Sequence, residues 1–464
     1  MPLPPPLSSH RPLRLAIIGS GFSGVSAACH ALRNAAPGSS LTLYNASGPL
    51  ARGLAYGTAS DCHVLNVPAA RMSMEADDPE HFLRWLQARG HDLAPQDFVS
   101  RRLYGDYLYA SLMAAAAERP DVQLQWVTGT VSDIHETANG FLLQSSAPAG
   151  SALHDKVLLA LGHFAPRPPL PQLALLDERR YVNDPWAPHA THGLVTDDPV
   201  LLIGTGLTML DLVLSLQQRG HRGPVLALSR RGLLPQGHRS NELPPPQAAL
   251  APELLQADAT LLARLRAFRR MSRDSADWRD AWGAFRAHTA QAWAQLPERA
   301  RAQFLRHLQP YWDVHRHRAA PAAMRALQAH LDAGLLRMQA GRLLDANASE
   351  HGVQVRWRQR GDSQTQHVEV ARVINCTGPS SRVDALASPL LWSLAQQGRL
   401  LPCPLGLGLK VDSQYRLLDA QGQGQRGLHY LGPLLKASHW EATAVPELRI
   451  HARDAVRAML QSEN

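Results

Sequence analysis

The residues of this sequence best suited to chemistry are two sets of glycines, each placed directly after an apolar run. Gly19, Gly21 and Gly24 follow residues 13–18 as G-x-G-x-x-G, and Phe22, Ser23 and VSAACHAL then have helical composition. In that spacing the first glycine makes a tight turn and the second lets a pyrophosphate approach the backbone. The third lets the helix pack close to its strand. The free N–H groups and positive dipole end of the helix attract phosphate. A second strand, SLTLYN, comes next, so the motif has the context that makes it specific. That strand normally ends in an acid that accepts bonds from ribose hydroxyls. Here it ends in Tyr44-Asn45, and the Asn45 carbonyl can still accept.

The second set is Gly204-Thr205-Gly206-Leu207-Thr208, behind the apolar residues 199–203. It keeps the first two roles, but Met209 stands where the third glycine belongs. A long side chain there predicts a helix pushed off its strand and a looser site. The following strand, PVLALSRRG, ends in Ser229-Arg230-Arg231. An acid would repel a 2′-phosphate, whereas two guanidiniums and a hydroxyl bind one through charge-assisted hydrogen bonds. The second cradle therefore reads as an NADPH site, against the plainer alternative of a solvated arginine pair. Two cradles of unlike character predict two cofactors, one resident and one visiting. That is the arrangement of flavoprotein NADPH oxidoreductases, which makes FAD the resident.

Positioning these residues takes an α/β fold with two Rossmann-like dinucleotide-binding domains, for FAD and NADPH, each with a β-meander. Residues 1–12 read as a disordered, proline-rich arm, and 13–178 as the first part of the FAD-binding domain. Residues 179–380 read as the NADPH-binding domain with a helical insertion at about 245–340, and 381–464 as the return to the FAD-binding domain. Residues 123–146 read as strands with an Asn-Gly hairpin at 139–140, and 341–377 repeat the design. A final amphipathic helix is expected at about 445–461.

Bulk properties set limits. At 464 residues, with 45% hydrophobic and 19% charged residues, the chain is long enough for two or three globular domains. No apolar run reaches the roughly 18 residues of a membrane span, and the N-terminal arm lacks the apolar core of a secretory signal. The four cysteines form no Cys-x-x-Cys pair, which argues against a disulfide framework, a zinc site and a dithiol centre and makes the cytoplasm the default. The net charge is +8, and of 47 basic residues only Lys156, Lys410 and Lys436 are lysines. The arginines are scattered, so the excess favours acidic small molecules over nucleic acid.

The stretches ARGLAYGTASDCHVLNVPAARMS, RRLYGDYL, LALGHFAPRPP, NDPWAP, SRRGLLPQGHR, LQPYWDVHRHR, VINCTGP and YLGPLLKASHWEATAVPELR together resemble the bacterial FAD-NAD(P)-binding family, over nearly the whole chain. More distantly, the plan is similar to that of the NADPH-dependent N-hydroxylating and Baeyer–Villiger flavin monooxygenases. The Phe-x-Gly-x-x-x-His fingerprint of the latter is absent from this sequence. The resemblance places Asn66, Val67, Arg71 and Met72 in a flavin-facing loop, with Arg71 near a phosphate or a substrate carboxylate; a turn capped by Asn and Pro is the plainer reading. It also places Gly432, Thr443 and Ala444 before a helix whose N-terminus faces the flavin, with backbone rather than Glu441 as the active group.

His163, His238, His315 and His317 have no metal spacing, so no metal is expected, and surface or capping roles are the simpler account. Cys62-His63 is a nucleophile pair only in sequence. Trp186 and Trp312 fit either the core or a nicotinamide wall. The function these features imply is a single-component monooxygenase acting on a small N-, S- or carbonyl-containing substrate with O₂, through a flavin peroxide. Such chemistry is centred on the flavin and leaves Asn66 and Arg71 as the side-chain candidates. An NADPH:acceptor reductase or NADPH oxidase is one alternative, and a flavin-bound redox sensor is another. Oligomeric state is left open.

Overall fold

The computed structural model describes residues 11–148, 150–239, 249–385 and 387–461. Most of the arm expected at 1–12 lies outside them, as does the start of the expected insertion. The first sheet has six strands, in spatial order Arg416–Leu418, Gly424–Tyr430, Lys156–Leu159, Arg14–Ile18, Ser40–Asn45 and Gln123–Thr128. All neighbours are parallel except the first pair. Leu15, Ala16 and Ile17 are fully buried, which explains the continuous apolar run: both faces of the central strand are covered. The helix Phe22–Asn34 covers one face, packed between Arg101–Glu118 and Val445–Leu460. Being enclosed by two helices and a sheet, it is buried from Phe22 to Leu32.

The second sheet runs Thr365–Val370, Val353–Gln359, Leu336–Ala348, Val225–Ser229, Val200–Ile203, Arg372–Asn375 and Tyr181–Val182. Its parallel half pairs Val225 to Ser229 with Leu336 to Ala340, and Val200 with Arg372. The chain is thus an α/β fold of two dinucleotide-binding units, and its last segment returns to the first sheet through Gly424–Tyr430.

Four local readings change. Gln123–Thr128 is the parallel edge strand of the first sheet and not part of a meander; the separate antiparallel sheet is Val131–Thr137, Gly140–Ser145 and Ser151–His154. Thr137 pairs with Gly140, so the hairpin loop is Ala138-Asn139. The strand at Leu336–Ala348 begins before 341, because its first five residues belong to the parallel sheet and only the rest forms the hairpin. For the same reason the helix Pro321–Asp332 is no insertion. It packs on Leu207–Gln218, and its Ala323 and Leu327 share a core with Val213 and Leu216. It is the crossover between two parallel strands. The helices from Leu261–Asp274 to Gln309–Arg316 form the inserted layer, cored by Phe285, Trp293, Trp312 and their neighbours.

Candidate functional site: two cradles on one cleft

The two glycine turns have nearly the same backbone. Gly19 and Gly204 have φ of +114° and +115°, in the left-handed half of the map that glycine tolerates. A Cβ at Gly19 would lie 2.4 Å from the Ala160 carbonyl oxygen, and one at Gly204 would lie 2.3 Å from that of Cys376. At Gly24 a Cβ would lie 1.7 Å from the Gly19 oxygen, so glycine is obligatory there. Gly21 and Gly206 are different. Both are extended N-cap residues, and a Cβ would meet nothing closer than 3.6 Å at Gly21 and nothing within 4 Å at Gly206. Protein packing therefore leaves the second glycine of each turn unexplained, while a phosphate approaching the helix N-terminus explains both. Gly53, at φ +55°, backs the first turn, its Cβ position 2.8 Å from Gly21 Cα; the sequence reading missed it.

The residue between the glycines braces each turn in the same way. Ser20 Oγ donates to Asn45 Oδ1 at 2.6 Å, and Thr205 Oγ1 lies 2.9 Å from Ser229 Oγ and 2.6 Å from the Leu233 carbonyl. Asn45 Nδ2 donates to Gly48 O, and Ser229 Oγ accepts from Gly232 N–H. Asn45 and Ser229, expected on ribose and on phosphate, are thus occupied in tying the turn to the end of the next strand. Met209, at the third-glycine position of the second helix, is fully buried in a core shared with Val200 and Leu202, so a side chain is accommodated where Gly24 admits none. The Arg230–Arg231 pair also divides. Arg230 is exposed, whereas Arg231 Nη2 donates to Arg306 O at 3.3 Å and its guanidinium lies over Tyr311.

Between the cradles lies one cleft, lined from the first unit by Tyr56, Asn66, Val67, Met72, Arg101, His163, Thr443 and Ala444. The second unit adds Trp186, Leu207, Thr208, Asp211, Gly378 and Pro379, and the inserted layer adds Arg316 and His317. Thr443 and Ala444 lead into the helix Val445–Leu460, so its N-terminus opens on the cleft. The 66–74 loop is pinned from beneath: Tyr104 Oη donates to Met72 O at 2.8 Å, and Tyr107 Oη accepts from Met74 N at 3.1 Å. Gly432, at φ +136°, packs against Leu161 O behind the wall of the cleft. Arg71 is exposed on the turn Ala69–Arg71, next in sequence to Met72 of the cleft lining, and is not itself among the residues that line the cleft. Trp186 walls the cleft; Trp312 is in the core of the inserted layer.

A buried ion pair joins the two units across the cleft floor. Arg101 Nη2 lies 2.7 Å from Asp211 Oδ2, and the Arg101 guanidinium lies over the Trp186 ring. Burial pushes the Asp211 carboxyl up, and Arg101 opposes that. His63 is hydrogen-bonded to Ser215 and Thr58 and faces the edge of Trp186, so it has no partnership with Cys62. Sequence reasoning missed the Arg101–Asp211 pair, although Arg101 opens the stretch RRLYGDYL.

Arg316 Nη2 lies 2.7 Å from Glu441 Oε2, and Arg286 holds Glu447 at 2.8 and 2.9 Å. Neighbouring protein first, and then Lys436, push the His163 imidazole down, while the residue stays open to the cleft. Burial, then Arg316 and Lys436, push His317 to about 3. Both are neutral near pH 7 and can accept a proton-bearing group of a ligand. His238 bonds Asn66 O, and His315 bonds Tyr311 O and stacks on Trp282. Among the described residues no group of three His, Cys, Asp or Glu is placed to hold a metal, and no helix is long and apolar enough to cross a membrane.

Residues 16–164 match the FAD-NAD(P)-binding family. That FAD-NAD(P)-binding segment begins inside the first strand, contains the first cradle and ends at Phe164 on the cleft wall. No curated protein matches the sequence. The fold is similar to that of an ornithine N-hydroxylase from Kutzneria sp. 744, at 13% identity, covering 97% of this chain and 99% of that one, with a TM-score of 0.66. It is also similar to L-lysine 6-monooxygenase from Pseudomonas syringae, at 18% identity, 97% of each chain and a TM-score of 0.63. A third is the FAD-bound cadaverine monooxygenase from Erwinia amylovora, at 12% identity, 97% and 95% coverage and a TM-score of 0.65. At these identities the likeness is one of fold.

Proposed function

We propose that the protein is an FAD-dependent monooxygenase that draws electrons from NADPH and oxygenates a small substrate at nitrogen, sulfur or a carbonyl. The observation that carries this reading is the shared cleft: the helix behind Gly206 opens on it through Leu207 and Thr208, and the first unit meets it through Leu54, Asn66, Val67 and Met72, with Gly53 packed against Gly21 beside it. Bound FAD supplies acceptance of hydride from NADPH and reaction with O₂.

The chain's part is to hold and shield. Gly19, Gly21, Phe22, Ser23 and Gly24 form the resident cofactor's phosphate turn, and Asn66, Val67 and Met72 form the wall beside its ring. The N-terminal end of the helix Val445–Leu460 borders the cleft, and its positive dipole end stabilises negative charge on a reduced ring, while the Thr443 and Ala444 N–H groups donate to Glu441 O and fix the turn that leads into it. Gly204 through Thr208 hold the visiting dinucleotide. Neutral His163 and His317 offer acceptors for an incoming amine without adding positive charge. All four cysteines are free, and Cys62 and Cys403, the two that are not fully buried, are absent from the cleft lining, which favours a diffusible electron acceptor over a protein dithiol. A cytoplasmic setting, with a small molecule and O₂ as partners, completes the reading.

The test is to supply the FAD-loaded protein with NADPH and air against a panel of amines, thioethers and ketones. Terminal amines lead the panel because the fold neighbours are named for ornithine, lysine and cadaverine. The expected outcome is an oxygenated product formed in proportion to NADPH consumed. Stoichiometric H₂O₂ across the whole panel would put an NADPH oxidase in its place.

A further inference from the structure

We propose that four arginines beside the second cradle, Arg230, Arg342, Arg358 and Arg360, form the subsite for the 2′-phosphate monoester of the visiting dinucleotide. The inference rests on reading that cradle as an NADPH site.

Strand register brings the four together from three places in the sequence. Ser229, the last residue of its strand, pairs with Ala340, and the Arg360 N–H donates to Ala340 O at 2.8 Å. Ser229, Ala340 and Arg360 therefore stand side by side across adjacent chains. One step further, Gly341 pairs with Gln359 and Arg342 pairs directly with Arg358. A Cβ at Gly341 would lie 2.7 Å from both Arg358 O and the Trp357 ring, so glycine there lets the hairpin close tightly beside the cradle. Arg230 and the three hairpin arginines then line one open basin, which includes Asp362 as its carboxylate.

That arrangement is costly without an anion. Like charges directly opposite on neighbouring strands destabilise a sheet. Among the described residues no carboxylate forms an ion pair with any of the four, although Arg356, two residues from Arg358, finds Asp345 at 3.0 Å. The Asp362 carboxylate is turned to the backbone of Gln364. Arg231, the other arginine of the strand end, leans toward Tyr311. Arg231 first, and Arg360 after it, hold that phenol below its ordinary range, which puts Arg360 at the junction of the basin and the strand end. A phosphate monoester carries nearly two charges and three acceptor oxygens, and guanidinium forks match it. NADH has no such group.

The test is equilibrium titration of the FAD-loaded protein with NADPH, NADH, 2′-AMP and 5′-AMP. Arg360→Ala and the Arg342→Ala/Arg358→Ala pair should each raise the Kd for NADPH and 2′-AMP about ten- to a hundredfold. The Kd for NADH and 5′-AMP should not change, and Arg360→Lys should recover part of the loss. Added salt should narrow the gap between NADPH and NADH in the parent protein, because these charges are solvent-exposed. If the parent prefers NADPH and the variants keep that preference, or lose both nucleotides equally, the basin is not the subsite while the cradle reading survives. A parent protein that binds NADPH and NADH alike overturns both.

Discussion

Gly21 and Gly24 stand three residues apart and are glycine for opposite reasons. At Gly24 a methyl group would overlap the Gly19 oxygen at 1.7 Å, and backbone on both sides cannot move away. At Gly21 a methyl group fits. Gly24→Ala should therefore destabilise the fold by about 3 kcal/mol, read as a lower urea midpoint. Gly21→Trp should instead give folded protein that purifies without bound flavin, because its side chain fills the space above the helix N-terminus. Full retention of FAD in folded Gly21→Trp would move the cofactor elsewhere. These glycines were legible in the sequence, since their spacing encodes the turn. The brace behind them was not: nothing in a linear sequence shows that Ser20 reaches Asn45 and that Thr205 reaches Ser229.

At the scale of elements, the two units are locked by Arg101 on one helix and Asp211 on another, with side chains 16% and 8% exposed. Removing one partner strands a buried charge, which costs about 3–5 kcal/mol. Replacing both by apolar residues leaves neither charge behind. Asp211→Leu should thus lower the unfolding free energy far more than Arg101→Met/Asp211→Leu, as read by urea denaturation. The double variant should also reduce its flavin more slowly with NADPH, because the cleft floor no longer fixes the angle between the cradles. Equal stability of the single and double variants would show that the pair is incidental. Apolar runs and glycine turns revealed most strands, but they could not divide Leu336–Ala348 into a parallel half and a hairpin half. Nor could composition tell the crossover helix Pro321–Asp332 from the Ala- and Arg-rich helices before it, because that distinction lies in what each helix packs against.

Over the whole molecule, the inserted layer closes one end of the cleft onto the first unit. Trp293 stacks on Trp440 with ring centres 4.3 Å apart, and Arg286 clamps Glu447 with two hydrogen bonds. In the proposed reaction, closure keeps bulk water from the reduced cofactor. Arg286→Ala should loosen the layer and raise the share of NADPH electrons released as H₂O₂, with product formation falling in step. An unchanged ratio of H₂O₂ to product would separate the layer from the chemistry. The sequence marked this segment as helical and aromatic but gave no sign of where it docks, since docking depends on residues more than a hundred positions away.

The same closed packing sets the pH range in which the molecule holds together. His154 and His429 are buried at 4% and 3% exposure, and burial is the main force that pushes each imidazole down to about 4. In the unfolded chain an imidazole titrates near 6.5. Between those values the unfolded state binds more protons than the folded one, so unfolding free energy rises with pH. The contribution is complete above about pH 6.5 and is lost as pH falls toward 4. By pH 5 each group should have given up about 2 kcal/mol. Urea titrations at intervals from pH 8 to pH 5 should show a falling midpoint, and His429→Phe should flatten the slope while giving up the hydrogen bond to Gln414 O. A midpoint that stays level from pH 7 to pH 5 would mean that these imidazoles take up protons in the folded state, and hence that water reaches the core beneath the first sheet.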